Sequence, residues 1–209
     1  MKRHVLWARL GSGWRQGLLW LWLGFTMGCA SLSTFQTPAT LEKGKAAIGF
    51  GASGVNGSIP AILEASGRVG LGRQTDAGVK VTIPGTITGD LKWQWYRSPG
   101  LQAAFDVAVS YFNSSENGED FKSGAVMPAL LVGNRHWYAG GRLVFFSSEG
   151  TFNFFGSRDF QVSTTFPGLF FGLALGNRLQ FMPEVNVYFS TGDSQGALLH
   201  YGIGVRYGL

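Results

Sequence analysis

A strict alternation of apolar and polar residues is the feature that most constrains this chain. Every second residue from Leu101 to Tyr111 is apolar, and the same holds from Leu179 to Phe189. Successive side chains of a β-strand point to opposite faces, so each of these segments forms a strand with one apolar face. No stretch after residue 45 shows apolar residues at helical spacing over three turns. The sequence therefore predicts an all-β domain.

Turn-forming residues divide this domain into ten alternating segments. They are 45–53, 61–72, 76–83, 87–97, 101–112, 122–133, 136–147, 165–176, 178–190 and 197–209. Most are close to the ~9 to 11 residues that a tilted transmembrane strand needs. Short connections (73–75, 98–100, 133–135, 176–177) alternate with a second set (54–60, 84–86, 113–121, 148–164, 191–196), all longer except the three-residue 84–86. This predicts an antiparallel up-and-down barrel of ten strands, with eight or twelve as alternatives, and with short and long connections at opposite ends.

Composition favours a membrane barrel over a soluble one. A soluble barrel points its apolar residues inward and covers its exterior with charge, but only 14% of this chain is charged, and glycine fills many polar-face positions. Such an exterior would be poorly solvated by water. The apolar faces are therefore expected to point outward, into lipid.

The ten segments together resemble the outer-membrane β-barrel proteins of Gram-negative bacteria, over residues 45–209. The resemblance implies a location in the bacterial outer membrane, short periplasmic turns, longer extracellular loops and both termini in the periplasm. The last segment, which ends on Leu209, resembles the signal that the barrel assembly machinery reads. The implied partners are that machinery, outer-membrane lipids and an unidentified extracellular ligand.

Aromatic residues are expected to form two girdles at the membrane surfaces. Three lie beside short turns: Trp95, Trp137 and Tyr207. Four lie beside long loops: Phe50, Tyr111, Phe145 and Phe189.

The N-terminus is predicted to be an export signal followed by a tether. Residues 1–28 combine a basic start with an apolar stretch over 17–27, and the signal is expected to be cleaved. Cys29 follows Gly28 in an arrangement that resembles the lipobox of bacterial lipoproteins, which implies acylation of Cys29. Cleavage after Ala30 is the alternative and would remove the cysteine. Residues 29–44, rich in Ser, Thr and Gln, are predicted to form the tether to the barrel.

Nucleic-acid binding is excluded by where the charges lie. The formal net charge is +5, but four of the 17 basic residues lie in the first 28 residues, where no acid occurs. The remaining 13 basic residues face 12 acidic ones, so the folded part carries no basic excess of the kind that nucleic-acid binding requires.

Charged residues of both signs are predicted to face the barrel lumen. They are Glu64, Arg68, Lys80, Asp90, Lys92, Asp106, Arg142, Glu184 and Arg206. They either form a plug of ion pairs or line a narrow path for small solutes. Barrels of eight strands are filled by side chains and porins of 16 are open, so the plug is favoured at ten strands. The expected function is a structural or surface-interaction role through long extracellular loops, and the alternative is a small-solute channel.

Enzymatic and cofactor chemistry is not expected. Gly49, Gly51 and Gly54 form a GxGxxG that leads into a turn rather than into the helix a dinucleotide needs, and no residues show metal-ligand spacing. His200 is the one candidate for a barrel-wall hydrolase, the least favoured function. We therefore predict no catalytic residue, no cofactor and no metal.

Overall fold

The computed structural model describes residues 31–56, 62–83, 85–116, 119–152, 158–189 and 196–208. These form eleven strand segments: β1 (Ala46–Val55), β2 (Ile62–Gly72), β3 (Thr75–Ile83), β4 (Ile87–Arg97), β5 (Gln102–Glu116), β6 (Glu119–Gly133), β7 (Trp137–Phe152), β8 (Arg158–Leu173), β9 (Leu175–Gly176), β10 (Leu179–Phe189) and β11 (Ala197–Gly208). Within these ranges, no helix is long and apolar enough to cross a membrane.

The strands form one closed antiparallel barrel. Each long strand pairs with the next along the chain, and β11 returns to pair with β1 from Ala47–Gly208 to Val55–His200. The two-residue β9 continues the line of β8 against β10, so ten strands encircle the lumen. The prediction of an all-β, ten-stranded up-and-down barrel is confirmed.

The hairpin between β2 and β3 shows how local sequence sets a tight turn. Gly72 pairs with Thr75, and the two residues between them, Arg73 and Gln74, have φ of 51° and 61°. Positive φ at both central positions is the geometry of a type I′ turn, whose twist matches that of the strands it joins. Neither position carries the glycine or asparagine that this geometry prefers.

The barrel exterior is apolar all the way round. Each of the ten strands exposes at least one large apolar side chain to the outside: Phe50, Leu63, Val81, Leu91, Val109, Leu130, Phe145, Leu169, Phe181 and Ile203. Monomeric soluble proteins rarely expose a continuous apolar surface of this size. Because a closed sheet satisfies its own backbone hydrogen bonds, it can lie in hydrocarbon. The exterior is therefore the lipid-facing surface.

Strands β5 to β8 extend further than the sequence predicted. Residues 113–121 and 148–164 were expected to be long loops, but Ser114 pairs with Phe121 and Ser148 pairs with Val162. Only 117–118 and 153–157 lie between the strands. Beyond the membrane, water can solvate both faces of a hairpin. Polar residues on both faces therefore do not indicate that the strand pairing has ended.

The largest departure from expectation concerns the predicted tether, residues 29–44. Its described part begins at Ser31, and residues 31–41, here called the lumenal segment, lie inside the barrel. Residues 42–44 are exposed and lead into β1. The Ser-, Thr- and Gln-rich composition predicts a tether, but polar groups of residues 31–41 bond to the charged barrel wall.

Candidate functional site

The lumen wall carries the nine charged residues that the sequence predicted to face inward. Glu64, Lys92, Asp106, Arg142 and Glu184 are buried. Arg68, Lys80, Asp90 and Arg206 line the same cavity as Glu64.

A tenth charged residue of the wall, Asp76, is not among the nine that the sequence predicted. It is fully buried and faces the lumen at the start of β3. The alternation that placed Lys80 inward also places Asp76 inward, four residues earlier, so the signal was present. With Asp76 the described wall carries five acids and five bases, and its formal charges balance.

Ion pairs within the wall cluster on β2, β3 and β4. Arg68 bonds to both Asp76 and Asp90. Lys80 Nζ lies 3.4 Å from Glu64 Oε2, and Lys92 Nζ lies 3.5 Å from Asp76 Oδ2. Several of these charged groups also form hydrogen bonds to the lumenal segment, and so do other groups of the wall.

Near the short-turn end, the wall binds the C-terminal part of the lumenal segment. The backbone N–H of Leu41 donates to Asp76 Oδ2 at 3.0 Å. Lys92 Nζ donates to the carbonyl oxygens of Thr37 and Ala39, each at 2.9 Å. Further along the segment, Gln36 Nε2 donates to Asp106 Oδ2 at 2.9 Å. Backbone and amide groups of the segment thus act as partners of charges that would otherwise be buried alone.

Glu184 is the most heavily bonded acid of the wall. Its carboxylate accepts the consecutive backbone N–H groups of Thr34 and Phe35, at 2.7 and 2.8 Å. It also accepts the Tyr138 hydroxyl at 2.7 Å and Asn186 Nδ2 at 2.9 Å. Phe35 has φ of 40°, and consecutive N–H groups that converge beside a left-handed residue form a concave nest for an anion. Glu184 therefore fixes the lumenal segment by its backbone.

Glycines of the wall make room for the Phe35 ring. A Cβ atom at Gly51 or Gly202 would lie 2.7 Å from a ring carbon of Phe35, and one at Gly204 would lie 2.8 Å away. Real Cβ atoms do not approach so closely, so only glycine fits at these three positions while the ring stays in place. The group that leaves room only for glycine at these positions thus comes from the lumenal segment.

At its other end, the segment bonds to both sides of the barrel. Ser33 Oγ donates to Glu64 Oε1 at 2.7 Å, and Lys80 Nζ donates to the Ser33 carbonyl at 2.9 Å. Across the lumen, the Arg142 guanidinium donates to the Leu32 carbonyl at 2.7 Å and to Thr34 Oγ1 at 2.8 Å. The Leu32 side chain packs in an apolar cluster formed by Ala108, Ala125, Met127, Val144, Phe146 and Tyr188.

A cavity of about 70 Å³ lies between the segment and the wall. Arg68, Asp106 and Arg206 are among the residues that line it.

The predicted aromatic girdles are placed as follows. Trp95 lies near the short-turn end of β4 and Trp137 begins β7. Tyr207 lies near the end of β11, with the Arg178 guanidinium 5.8 Å from its ring. At the opposite end lie Tyr111, Phe145 and Phe189, all largely exposed.

Phe50 does not belong to either girdle. It pairs with Ala65 and Val205 in mid-strand, so it contributes to the apolar band. It was expected beside a loop because β1 was expected to end at residue 53, whereas β1 continues to Val55.

His200 is buried and faces the lumen. Its Nδ1 lies 3.2 Å from Asn186 Nδ2. In the described ranges, no group of three or more His, Cys, Asp or Glu side chains could hold a metal ion.

Neither a protein-family model nor the sequence of a curated protein matches this chain. Solved structures with a similar arrangement include Ail, the attachment invasion locus protein of Yersinia pestis, at 14% identity and a TM-score of 0.36, covering 80% of this chain and 99% of that one. The N-terminal β-barrel domain of Pseudomonas aeruginosa OprF matches at 9% identity and a TM-score of 0.36, covering 81% and 100%. Neisserial surface protein A matches at 13% and 0.35, covering 78% and 95%. Similarities this distant carry no functional argument.

The barrel's own features decide its class: a closed sheet, an even number of strands and an apolar exterior. The fold is that of an outer-membrane β-barrel. The predicted signal peptide and Cys29 lie outside the described residues, and acylation of Cys29 stays a prediction.

Proposed function

We propose that this outer-membrane barrel is a closed, non-enzymatic surface protein. Its lumen is blocked by its own lumenal segment, and it meets extracellular partners through the ends of β5 to β8. The observation that carries the proposal is the bonding of residues 31–41 to charged side chains on several sides of the wall.

The contacts of the segment support blockage rather than conduction. In an open channel, charged wall groups are hydrated and free to meet passing ions. Here Glu184, Lys92 and Arg142 instead bond to backbone groups of the segment, at distances of 2.7–2.9 Å. A buried charge is stable only with such partners, so removal of the segment would leave these charges to be satisfied by water. We therefore propose a plug that consists of the lumenal segment together with the ion pairs of the wall.

The two long hairpins support a surface-interaction role. β5 continues five residues beyond Tyr111, where its pairing with β4 ends. β8 begins ten residues before Gly168, where its pairing with β10 begins. Four strands therefore continue together as a sheet past the rest of the barrel, at the end opposite the short turns. We assign this sheet to the extracellular side, where it is available to a ligand.

Conductance in a planar lipid bilayer tests the blockage. We expect the full-length mature chain to give no steady current, and a chain lacking residues 31–41 to give single-channel steps. The matched control is Glu149→Ala, which removes an exposed acid from the β7 hairpin and should stay silent. A second variant keeps the segment but weakens its attachment, Lys92→Met with Glu184→Gln, and should open transiently.

Two results would overturn the blockage. Steady steps from the full-length chain, with ion selectivity that changes in Arg142→Ala, would establish the small-solute channel instead. A folded chain that lacks residues 31–41 and is still silent would mean that the wall closes the lumen without the segment.

We propose no catalytic role for His200. Its ring is fully buried and its Nδ1 faces Asn186, which supports a structural contact. Hydrolysis of phospholipid by the purified barrel that is lost in His200→Ala, with the fold retained, would refute this.

A further inference from the structure

The lumenal segment crosses the barrel in one direction. At its C-terminal end, Leu41 bonds to Asp76, one residue from the start of β3 at a short turn. At its N-terminal end, Ser31 and Ser33 bond to Lys80, four residues further along the same strand. The chain therefore moves away from the short turns as residue numbers fall.

The neighbouring strand β2 gives the same direction and a distance. The backbone of Glu42 lies against Gly70, since a Cβ atom added at Gly70 would clash with the Glu42 carbonyl oxygen. Ser31 and Ser33 bond to Glu64, which precedes Gly70 by six residues in β2 and lies further from the short turn. At about 3.3 Å per residue, this corresponds to roughly 20 Å along the strand.

Ser31 lies near the end of the barrel opposite the short turns. Its partner Glu64 is two residues from Ile62, where β2 begins. Leu32 packs with Tyr188, the residue before the end of β10. The first described residues thus lie far from Lys45, which leads into β1 at the short-turn end.

We infer that the chain passes through the lumen from the periplasmic to the extracellular end, so that the mature N-terminus is presented outside the cell. This rests on the barrel orientation in the proposed function, and it departs from the expectation that both termini are periplasmic. The distance from Ser31 to the end of the barrel is short. The two residues of β2 between Glu64 and the start of the strand span about 7 Å, which is also the most that two residues of chain can reach. If the mature chain begins at Cys29 or Ser31, it is also too short to return to the periplasm, because two residues reach at most about 7 Å and the short-turn end is roughly 20 Å away.

The inference decides where a lipid on Cys29 would be. Cys29 is two residues from Ser31, so the inferred passage puts it within about 7 Å of Ser31 at the extracellular end. If Cys29 is retained and acylated, its acyl chains are therefore attached at the outer surface. An ordinary lipoprotein tether in the periplasmic leaflet is not compatible with the segment in the lumen.

Antibody binding to tagged chains on intact cells tests the inference. A short epitope tag between Ala30 and Ser31 stays in the mature chain whether cleavage occurs before Cys29 or after Ala30. The same tag after Pro99 marks the periplasmic turns, and one within 153–157 marks the outer hairpin. We expect the N-terminal tag to bind antibody on intact cells as the 153–157 tag does, and the Pro99 tag to bind only after permeabilisation.

Each other outcome has a distinct meaning. An N-terminal tag that is detected only together with the Pro99 tag refutes the inference. If the Pro99 tag is accessible on intact cells and the 153–157 tag is not, the barrel orientation in the proposed function is wrong. The passage through the lumen still requires that the N-terminal tag and the 153–157 tag lie on the same side of the membrane. A tag that lies outside the barrel should not disturb the lumen. If the N-terminally tagged chain has a urea unfolding midpoint as low as that of the Glu184→Ala variant, the inference is therefore also contradicted.

Discussion

Replacement of Glu184 by alanine is the sharpest single test of how the lumen is held together. The carboxylate accepts four hydrogen bonds, two from backbone N–H groups of the lumenal segment and two from Tyr138 and Asn186 of the wall. Alanine removes the acceptor and leaves the four donors facing an empty space. Glu184 is 5% exposed, so little bulk water can replace its carboxylate.

The cost follows from those four bonds. A net contribution of about 1 kcal/mol for each hydrogen bond gives roughly 4 kcal/mol for the four. This agrees with the about 3–5 kcal/mol expected when one partner of a buried charged network is removed. With a slope of about 2 kcal/mol per M of urea, the unfolding midpoint should fall by roughly 2 M.

Equilibrium urea unfolding of the purified barrel in lipid vesicles, followed by tryptophan fluorescence, measures this shift. Glu184→Gln is the matched variant: it keeps one acceptor oxygen on a side chain of the same size, and should lose about 1–2 kcal/mol. Glu149→Ala removes an exposed acid and should change the free energy of unfolding by less than about 0.5 kcal/mol. If Glu184→Ala unfolds at the wild-type midpoint, the carboxylate does not hold the segment and the reasoning about the lumen fails.

Three further predictions address separate parts of the chain. Phe35→Ala empties the space between the inward glycines and should destabilise the barrel by about 3 kcal/mol in the same urea titration, and an unchanged midpoint would mean that the ring is not packed there. Gln74→Gly relieves a positive φ in the β2–β3 turn, and its midpoint should rise by the equivalent of about 0.5–1 kcal/mol; a fall would contradict the type I′ geometry. Intact mass spectrometry should find a mature chain that begins with an acylated Cys29, and an unmodified chain that begins at Ser31 would exclude lipidation.

The arrangement of side chains within each strand was predictable because it is local. Alternation with period two is a property of the strand backbone, so the segment around Asp106 indicated both a strand and the face on which the carboxylate lies. The same rule placed Arg142 and Glu184 in the lumen, and it also applies to Asp76, the first residue of the predicted segment 76–83.

Strand ends were less predictable than strand faces. The hairpin positions between Asn113 and Phe121 are polar, and polarity alone does not distinguish a loop from a paired hairpin in water. The number of strands also depends on closure, since β11 must meet β1, and that pairing joins residues such as Ala47 and Gly208 from opposite ends of the domain.

The sequence by itself determined the all-β class, the outward apolar face and the charged lumen, because each depends on neighbouring residues in one strand. Only the tertiary structure decided what fills that lumen. Thr34 and its partner Glu184 are 150 residues apart, and no local pattern connects them. A segment of Ser, Thr and Gln has the same composition whether water or a charged wall solvates it, and the closed barrel provides the wall.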